Sequence, residues 1–399
     1  MTIALSSEAL DRIQGQVTDS LQAFKDQNQE ADRLAALKAA QELTNSLRKP
    51  QDAVYHLAYS PTQAMCVRIA VDLEIFTTLT ERNGPVSLEE LAAVKKASPI
   101  LAERVLRILA GIGYVEEAGT RVYTPTIMTR TMTDRLSISV IKFIFDVGMP
   151  TLAKVPEFLR ISNFENPEGG TVGAMPYAEG FDETIWTWLP RHPEKLDGCN
   201  TFMEADRGSR PSWLEWFPTA ERLLMGAQVQ SNEDVLMVDV AGGRGHDLAA
   251  FAQRFPDATG RLVLEDLPHV LEESTVDNSR IEKIPFDLFK PQPIQGARVY
   301  YMKFILHDWS DEENHTILTQ LAGAMTKGYS KLVIEFVLTD RDCAMLQAMW
   351  DWEMMIFCNS MERSQTQWTR LLEKAGFQVT KFWAPPGDGQ GIIEAGLKE

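Results

Sequence analysis

The chain lacks the features that would tie it to a membrane, a secretory route or a nucleic acid. No run of 18 or more apolar residues occurs in its 399 residues, so no transmembrane helix is expected. The opening MTIALSSEALDRIQ has no basic stretch followed by an apolar one, so it does not read as a secretory signal. Basic residues are outnumbered, 39 Lys and Arg against 56 Asp and Glu, for a net charge of −17. That balance argues against nucleic acid or an anionic membrane as the main partner, since both select basic surfaces. Cysteine is scarce: Cys66, Cys199, Cys343 and Cys358 lie far apart without metal-ligand spacing. They read as reduced thiols of a cytoplasmic protein, and no metal is implied. Internal repeats and low-complexity segments are absent too. What remains is an ordinary globular composition, 44% apolar and 24% charged, in a chain long enough for two or three domains.

Residues 7–48 read as a long helix, because Leu10, Ile13, Val17, Leu21 and Phe24 fall on one helical face. Such an arm needs a surface to cover, on its own domain or on a second subunit. A second apolar helix spans 60–80 and stops at Asn83-Gly84-Pro85. Ser87 with Glu90 forms a capping box for the next helix. A third helix, ILAERVLRILAGIG, precedes two short β-like runs around a glycine turn. Three helices and a hairpin make a winged-helix pattern. Its third helix offers only Arg104 and Arg107, so a structural or dimerising role fits better than DNA binding. Residues 131–225 are helical and rich in aromatics, with a glycine-rich loop at Glu168–Ala174. Most of these aromatics read as core and some as lining for a flat apolar substrate.

From residue 233 strands and helices alternate, which argues for a mostly parallel sheet covered on both faces. The last two strands, FQVTKFW and GIIEAGL, flank a Pro-Pro-Gly turn and suit an antiparallel closing pair. The expected class is α/β: a Rossmann-like domain over 226–399, a helical linker over 131–225, a winged-helix domain over 55–130 and a helical arm over 1–54. In such sheets ligands bind beyond the carboxyl ends of the strands. The first turn is Ala241-Gly242-Gly243-Arg244-Gly245, where glycine lets the backbone approach a ligand. Asp266 ends the second strand, where a carboxylate can accept from both ribose hydroxyls. Asp287 is expected to end the third strand, within reach of an adenine amino group. The dinucleotide pattern G-x-G-x-x-G fails because Leu248 occupies its last position. The turn therefore suits a nucleoside ligand without a pyrophosphate, such as S-adenosylmethionine.

Several motifs in one order, VDVAGGRGHDL, EDLPHV, FDLF, YYMKFILHDWSDEE and SMERSQTQW, resemble the plant and fungal O-methyltransferases of the caffeate and flavonoid type. The resemblance spans roughly 55–399 and is densest after 233. It implies an S-adenosylmethionine-binding α/β domain joined to a helical dimerisation domain, and a homodimer. On the matching positions Asp266 would hold the ribose, Asp287 and Leu288 the adenine, and Lys303 the neighbourhood of the methionine carboxylate, with Leu267 also among the cofactor-binding residues. Ala241, Gly243 and Gly245 would form the turn. The family usually has glycine at position 241, so the Ala241 methyl narrows that turn.

Methyl transfer to a phenol needs alignment and removal of a proton whose pKa is near 10. A histidine suits the second task. His307 in the His-Asp-Trp triplet is the candidate base, at the place of the family's catalytic histidine. Glu335 and Glu362 match the two acids that flank it, one to accept the Nδ1 proton and fix the tautomer. Glu335, inside VIEFVL, is the better buried of the two as read from sequence. Asp308 reads as support, and Ser310 with Glu313 as the cap of the next helix. His56, His192, His246, His269 and His315 have no clustered partners and read as structural. The helix MLQAMWDWEMMIF borders the acceptor pocket in the family, and its methionines suit an irregular apolar substrate. The leading expectation is O-methylation of an aromatic or polyketide-like small molecule. The alternative is dehydration or pericyclic rearrangement on the same scaffold, in which no methyl is transferred.

Overall fold

The computed structural model describes residues 6–205, 210–231, 233–387 and 389–398, with the side chains of Glu204 and Glu335 outside that description. The chain divides into two compact units, 1–150 with 189–208 and 151–188 with 209–399. The aromatic linker expected over 131–225 is thus shared between the two.

In the first unit the N-terminal arm is not one helix. It runs Ser7–Gln27 and then Glu30–Leu47. Asn28 takes the left-handed conformation at φ 51° and its N–H closes the first helix on Phe24 O. Asparagine tolerates that region better than most side chains, so the chain folds back here. An Arg12–Glu42 ion pair at 2.9 Å ties the two helices together. The apolar stretch 60–80 is likewise two helices, Pro61–Asp72 and Ile75–Arg82, separated at Glu74 with φ 54°. The Ser87–Glu90 capping box forms as expected. Strands β1 (Val86–Ser87), β2 (Val115–Gly119) and β3 (Val122–Pro125) make a small antiparallel sheet in the order β1-β3-β2. Val86, Val115 and Tyr123 from it join Leu79, Leu106 and Leu109 in one buried cluster.

The continuous helical run Arg135–Ile161 is long and apolar enough to cross a membrane by length and composition alone. It holds no uninterrupted run of 18 apolar residues, since Lys142, Asp146 and Lys154 fall within it. Its five-residue π-turn Ile144–Gly148 contains Asp146, which accepts from Arg68 Nε at 3.0 Å.

The second unit carries a seven-stranded sheet. Its strands are β4 (Val235–Val240), β5 (Arg261–Asp266), β6 (Ile281–Pro285), β7 (Val299–Lys303), β8 (Lys331–Glu335), β9 (Phe377–Trp383) and β10 (Ile392–Leu397). Their order is β6-β5-β4-β7-β8-β10-β9. The first five are parallel, and β10 pairs antiparallel with both β8 and β9. Both faces are buried, as alternation in the strands records. Val238, Val240, Tyr300, Met302 and Ile334 join one core cluster, whereas Met237, Tyr301 and Val333 join the other. Trp213 from the aromatic segment belongs to the second cluster, stacked on Tyr301 with centroids 4.9 Å apart. Strand β6 stops at Pro285, so Asp287 lies two residues beyond the strand and not at its end. Strand β7 stops at Lys303, where Phe304 turns left-handed at φ 54°.

Candidate active site

The sheet order arranges the predicted residues along one edge. Asp287 follows β6, Asp266 ends β5, the glycine turn follows β4, Lys303 ends β7 with His307 just beyond, and Glu335 ends β8. All five strands are parallel, so their carboxyl ends share one side of the sheet.

At the turn, Ala241, Gly243 and Gly245 all have positive φ, at 56°, 60° and 83°. Exchange of Gly245 would be strained: the backbone has φ 83°, and a Cβ there would lie 2.7 Å from Leu264 Cδ2, which would have to shift. A Cβ on Gly242 would lie 2.4 Å from the Asp239 carboxyl carbon. That acid inside an apolar strand was visible in the sequence and was passed over. Beside Gly243 a Cβ would meet nothing within 4 Å, so the backbone there faces open space. Gly243 N donates to Asp266 Oδ2 at 2.8 Å and Leu267 N donates to Oδ1 at 2.7 Å. Burial raises the Asp266 pKa, against the lowering effect of those two N–H groups. Each oxygen keeps a second lone pair, so the carboxylate can still accept from a vicinal diol. Lys303 Nζ pairs with Asp247 at 3.1 Å and lies 4.7 Å from the Phe304 ring centroid. Asp287 Oδ1 accepts from Phe289 N at 3.0 Å, while Leu288 packs against the sheet core. Leu267 is exposed. This donor set fits a nucleoside with a free ribose diol.

His307 sits in a short 3-10 turn, Leu306–Asp308. Its Nδ1 is 2.6 Å from Glu362 Oε1, and its Nε2 is 3.6 Å from Asp308 Oδ1. The imidazole side chain is 11% exposed and that of Glu362 only 1%. Burial alone would lower the His307 pKa. The Glu362 and Asp308 charges outweigh it and push it up to about 9. Asp308 is pushed up to about 6 by burial, against the charge of His307 and a hydrogen bond from Cys358. The second Glu362 oxygen, Oε2, is buried with no hydrogen-bond partner. Glu362 N donates to Asp351 Oδ1 at 2.8 Å. Glu353, in the helix Met345–Cys358, is raised to about 7 by burial and by the Glu362 charge. Phe304 stacks on the imidazole at 5.6 Å, and Phe336 lies 6.5 Å from it, with Trp350 edge-on to Phe336.

Of the three acids and bases expected, the structure brings His307 and Glu362 into contact. The Glu335 side chain lies outside the described residues, although its backbone pairs with Lys303 across β7 and β8. Sequence reasoning ranked Glu335 as the better buried. Glu362 is itself 2% exposed, and its burial was hidden because it follows a helix in an irregular segment. Ser310 and Glu313 form the expected capping box, which leaves Asp308 free to face the imidazole. The glycine-rich loop docks on the same irregular segment: Gly169 N donates to Asn359 O at 2.8 Å and Asn359 Nδ2 to Gly170 O at 3.0 Å.

The family model of the O-methyltransferase domain matches residues 219–378, and that of the O-methyltransferase dimerisation domain matches 55–135. O-methyltransferase penC of Penicillium thymicola is 36% identical over 375 residues, covering 93% of this chain and 93% of that protein. The structure of LepI in complex with SAM superposes with a TM-score of 0.88 at 27% identity, covering 97% of this chain and 99% of that one. A structure described as a pericyclic reaction enzyme gives 0.88 at 27%, covering 98% and 100%.

Proposed function

Because this chain belongs to the S-adenosylmethionine-dependent O-methyltransferase family, we propose that it methylates a hydroxyl of an aromatic or polyketide-like secondary metabolite, with His307 as general base. When bound, S-adenosylmethionine supplies an electrophilic methyl group. Asp266 would hold its ribose, Asp287 and Leu288 its adenine, and Lys303 the surroundings of its carboxylate. Ala241, Gly243 and Gly245 would bring the backbone close to it.

The observation that carries the base assignment is the buried 2.6 Å contact between His307 Nδ1 and Glu362. The carboxylate accepts the Nδ1 proton, which leaves Nε2 to take the proton of the acceptor. A phenol has a pKa of about 10. With the imidazole at about 9, the transfer is uphill by only about 1.4 kcal/mol. An unperturbed imidazole would face roughly 5 kcal/mol. Glu362 therefore brings the base close to its task, at the cost of keeping most of it protonated at pH 7. Phe304, Phe336 and Trp350 give the neighbourhood an aromatic wall suited to a flat acceptor. Glu335 is assigned as the second flanking acid on its place at the end of β8. The match to the dimerisation domain supports a homodimer, and four free cysteines suit a cytoplasmic protein. The net charge of −17 supports a small-molecule partner in preference to nucleic acid or membrane.

The test is His307→Ala incubated with labelled S-adenosylmethionine and candidate hydroxylated metabolites, read by mass spectrometry. Label transfer should be lost while S-adenosylhomocysteine still binds. Full transfer would remove the base assignment. The second reading is rearrangement or dehydration without methyl transfer, favoured by the likeness to a pericyclic reaction enzyme. Product of unchanged methyl count would establish it.

A further inference from the structure

The loop that presents His307 is gripped by one buried side chain, which directly follows Glu362 in sequence. Arg363 is 2% exposed. Its Nη1 donates to Leu306 O at 3.0 Å, its Nη2 to Trp309 O at 2.9 Å, and its Nε to Asp311 Oδ1 at 2.9 Å. Asn314 Nδ2 donates to the same two carbonyls, at 2.7 Å and 2.9 Å, and Ser360 Oγ to Trp309 O at 2.8 Å. The two carbonyls that bracket His307 and Asp308 thus accept five hydrogen bonds between them, from Arg363, Asn314 and Ser360. The guanidinium lies 5.4 Å from the centroid of the Trp368 ring, whose Nε1 donates to Phe336 O at 3.0 Å. Leu338 N donates to Arg363 O at 3.0 Å, which anchors the arginine to the chain leaving β8.

One dipeptide therefore meets the His307 loop twice. Glu362 takes the imidazole, and Arg363 takes the backbone on either side of it. A 2.6 Å hydrogen bond tolerates little displacement, so whatever fixes the loop against this segment also fixes the bond. We propose that Arg363 is a positioning residue for the base: its planar fork holds the His307 loop in register with Glu362. This rests on the reading of His307 as the base. A lysine supplies a point charge and cannot span both carbonyls and a carboxylate with fixed geometry.

Charge, fold-holding and positioning roles for Arg363 differ in what they do to the His307 pKa. Glu362 and Asp308 face the imidazole, Cys358 donates to Asp308, and the positive charge of Arg363 acts against protonation of His307. If Arg363 acted through its charge alone, removing that charge would raise the His307 pKa. If it only held the fold, the pKa would stay and the melting temperature would drop. A positioning role predicts a fall, because the contact with Glu362 loosens.

The experiment is NMR titration of the intact protein with isotope-labelled histidine, His307 being assigned by its loss in His307→Ala. Arg363→Lys and Arg363→Met should each lower the His307 pKa by about one pH unit or more and weaken the downfield Nδ1 proton signal. Asp311→Asn, at the exposed end of the clamp, should give a smaller fall in the same direction and keeps the test open if both arginine variants fail to fold. A raised or unchanged pKa in the folded variants overturns the proposal. Methyl transfer by His307→Ala tests the base assignment separately, since the titration needs no acceptor.

Discussion

Replacing Glu362 by Gln should change the pH dependence of the enzyme in a calculable way. Glutamine keeps the shape and still accepts the Nδ1 proton, but it removes the charge 2.6 Å from the ring. The raised pKa, about 9 against the ordinary 6.5, amounts to roughly 3 kcal/mol of preference for the imidazolium. Burial works the other way, so the two facing carboxylates together supply more than that. Without the Glu362 charge, Asp308 at 3.6 Å is the carboxylate left facing the ring among the described side chains, and the His307 pKa should fall by about 2. For methyl transfer to a phenol, kcat/KM reports the base of the free enzyme. In the wild type it should climb about tenfold per pH unit and level off near pH 9. In Glu362→Gln the levelling point should move to near pH 7, with a plateau about tenfold lower because the base is weaker. Stability follows the same linkage. A group whose folded pKa is raised contributes stability that is fully present below about 6.5 and lost as pH rises through about 9. The wild type should therefore lose stability across that window to denaturant, and Glu362→Gln should lose much less. An unmoved acid limb in Glu362→Gln would refute the electrostatic account of the pair.

Three further outcomes follow from the same geometry. Ala241→Gly relieves a left-handed alanine at φ 56°; after the entropy lost from the unfolded chain, urea denaturation should show a gain of about 0.5 kcal/mol, and a loss would mean that the methyl packs usefully. Gly173→Ala would place a Cβ 1.5 Å from Asn359 Oδ1, so it should destabilise by about 2 kcal/mol. Most of that should return in the Asn359→Ala background, and the absence of such coupling would mean the glycine loop docks elsewhere. Asp266→Asn turns one acceptor oxygen toward a backbone N–H into a donor, against Gly243 N or Leu267 N. Binding of S-adenosylhomocysteine, measured by calorimetry, should weaken by about tenfold or more, and unchanged affinity would exclude Asp266 from the ribose site.

How far the sequence carried this depends on whether a feature is local. The alternating apolar runs from 233 onward were legible because a strand buried on both faces leaves a continuous apolar signature, and the capping boxes at Ser87 and Ser310 were legible because they close within one turn. Asn28 was missed because one left-handed residue suffices to reverse the chain, and its neighbours carry a helical pattern on both sides. Asp287 was placed on a strand that Pro285 had already ended. Glu362 was named beside His307 from the sequence, but its burial was not legible there. An acid within VIEFVL reads as buried, whereas Glu362 lies in SMERS, where Met361 is its one apolar neighbour. Its burial is made by contacts 50 or so residues away in sequence, chiefly the grip of Arg363 on Leu306 and Trp309. Glu362 and Arg363 are conspicuous once read as a pair: a buried anion for the ring and a buried cation for the backbone around it. An isolated buried charge is costly, but here each has a fixed partner on the same loop. The basicity of His307 is thus set jointly by a contact and by the clamp that holds the contact, and titration of the imidazole in Arg363 variants reads both.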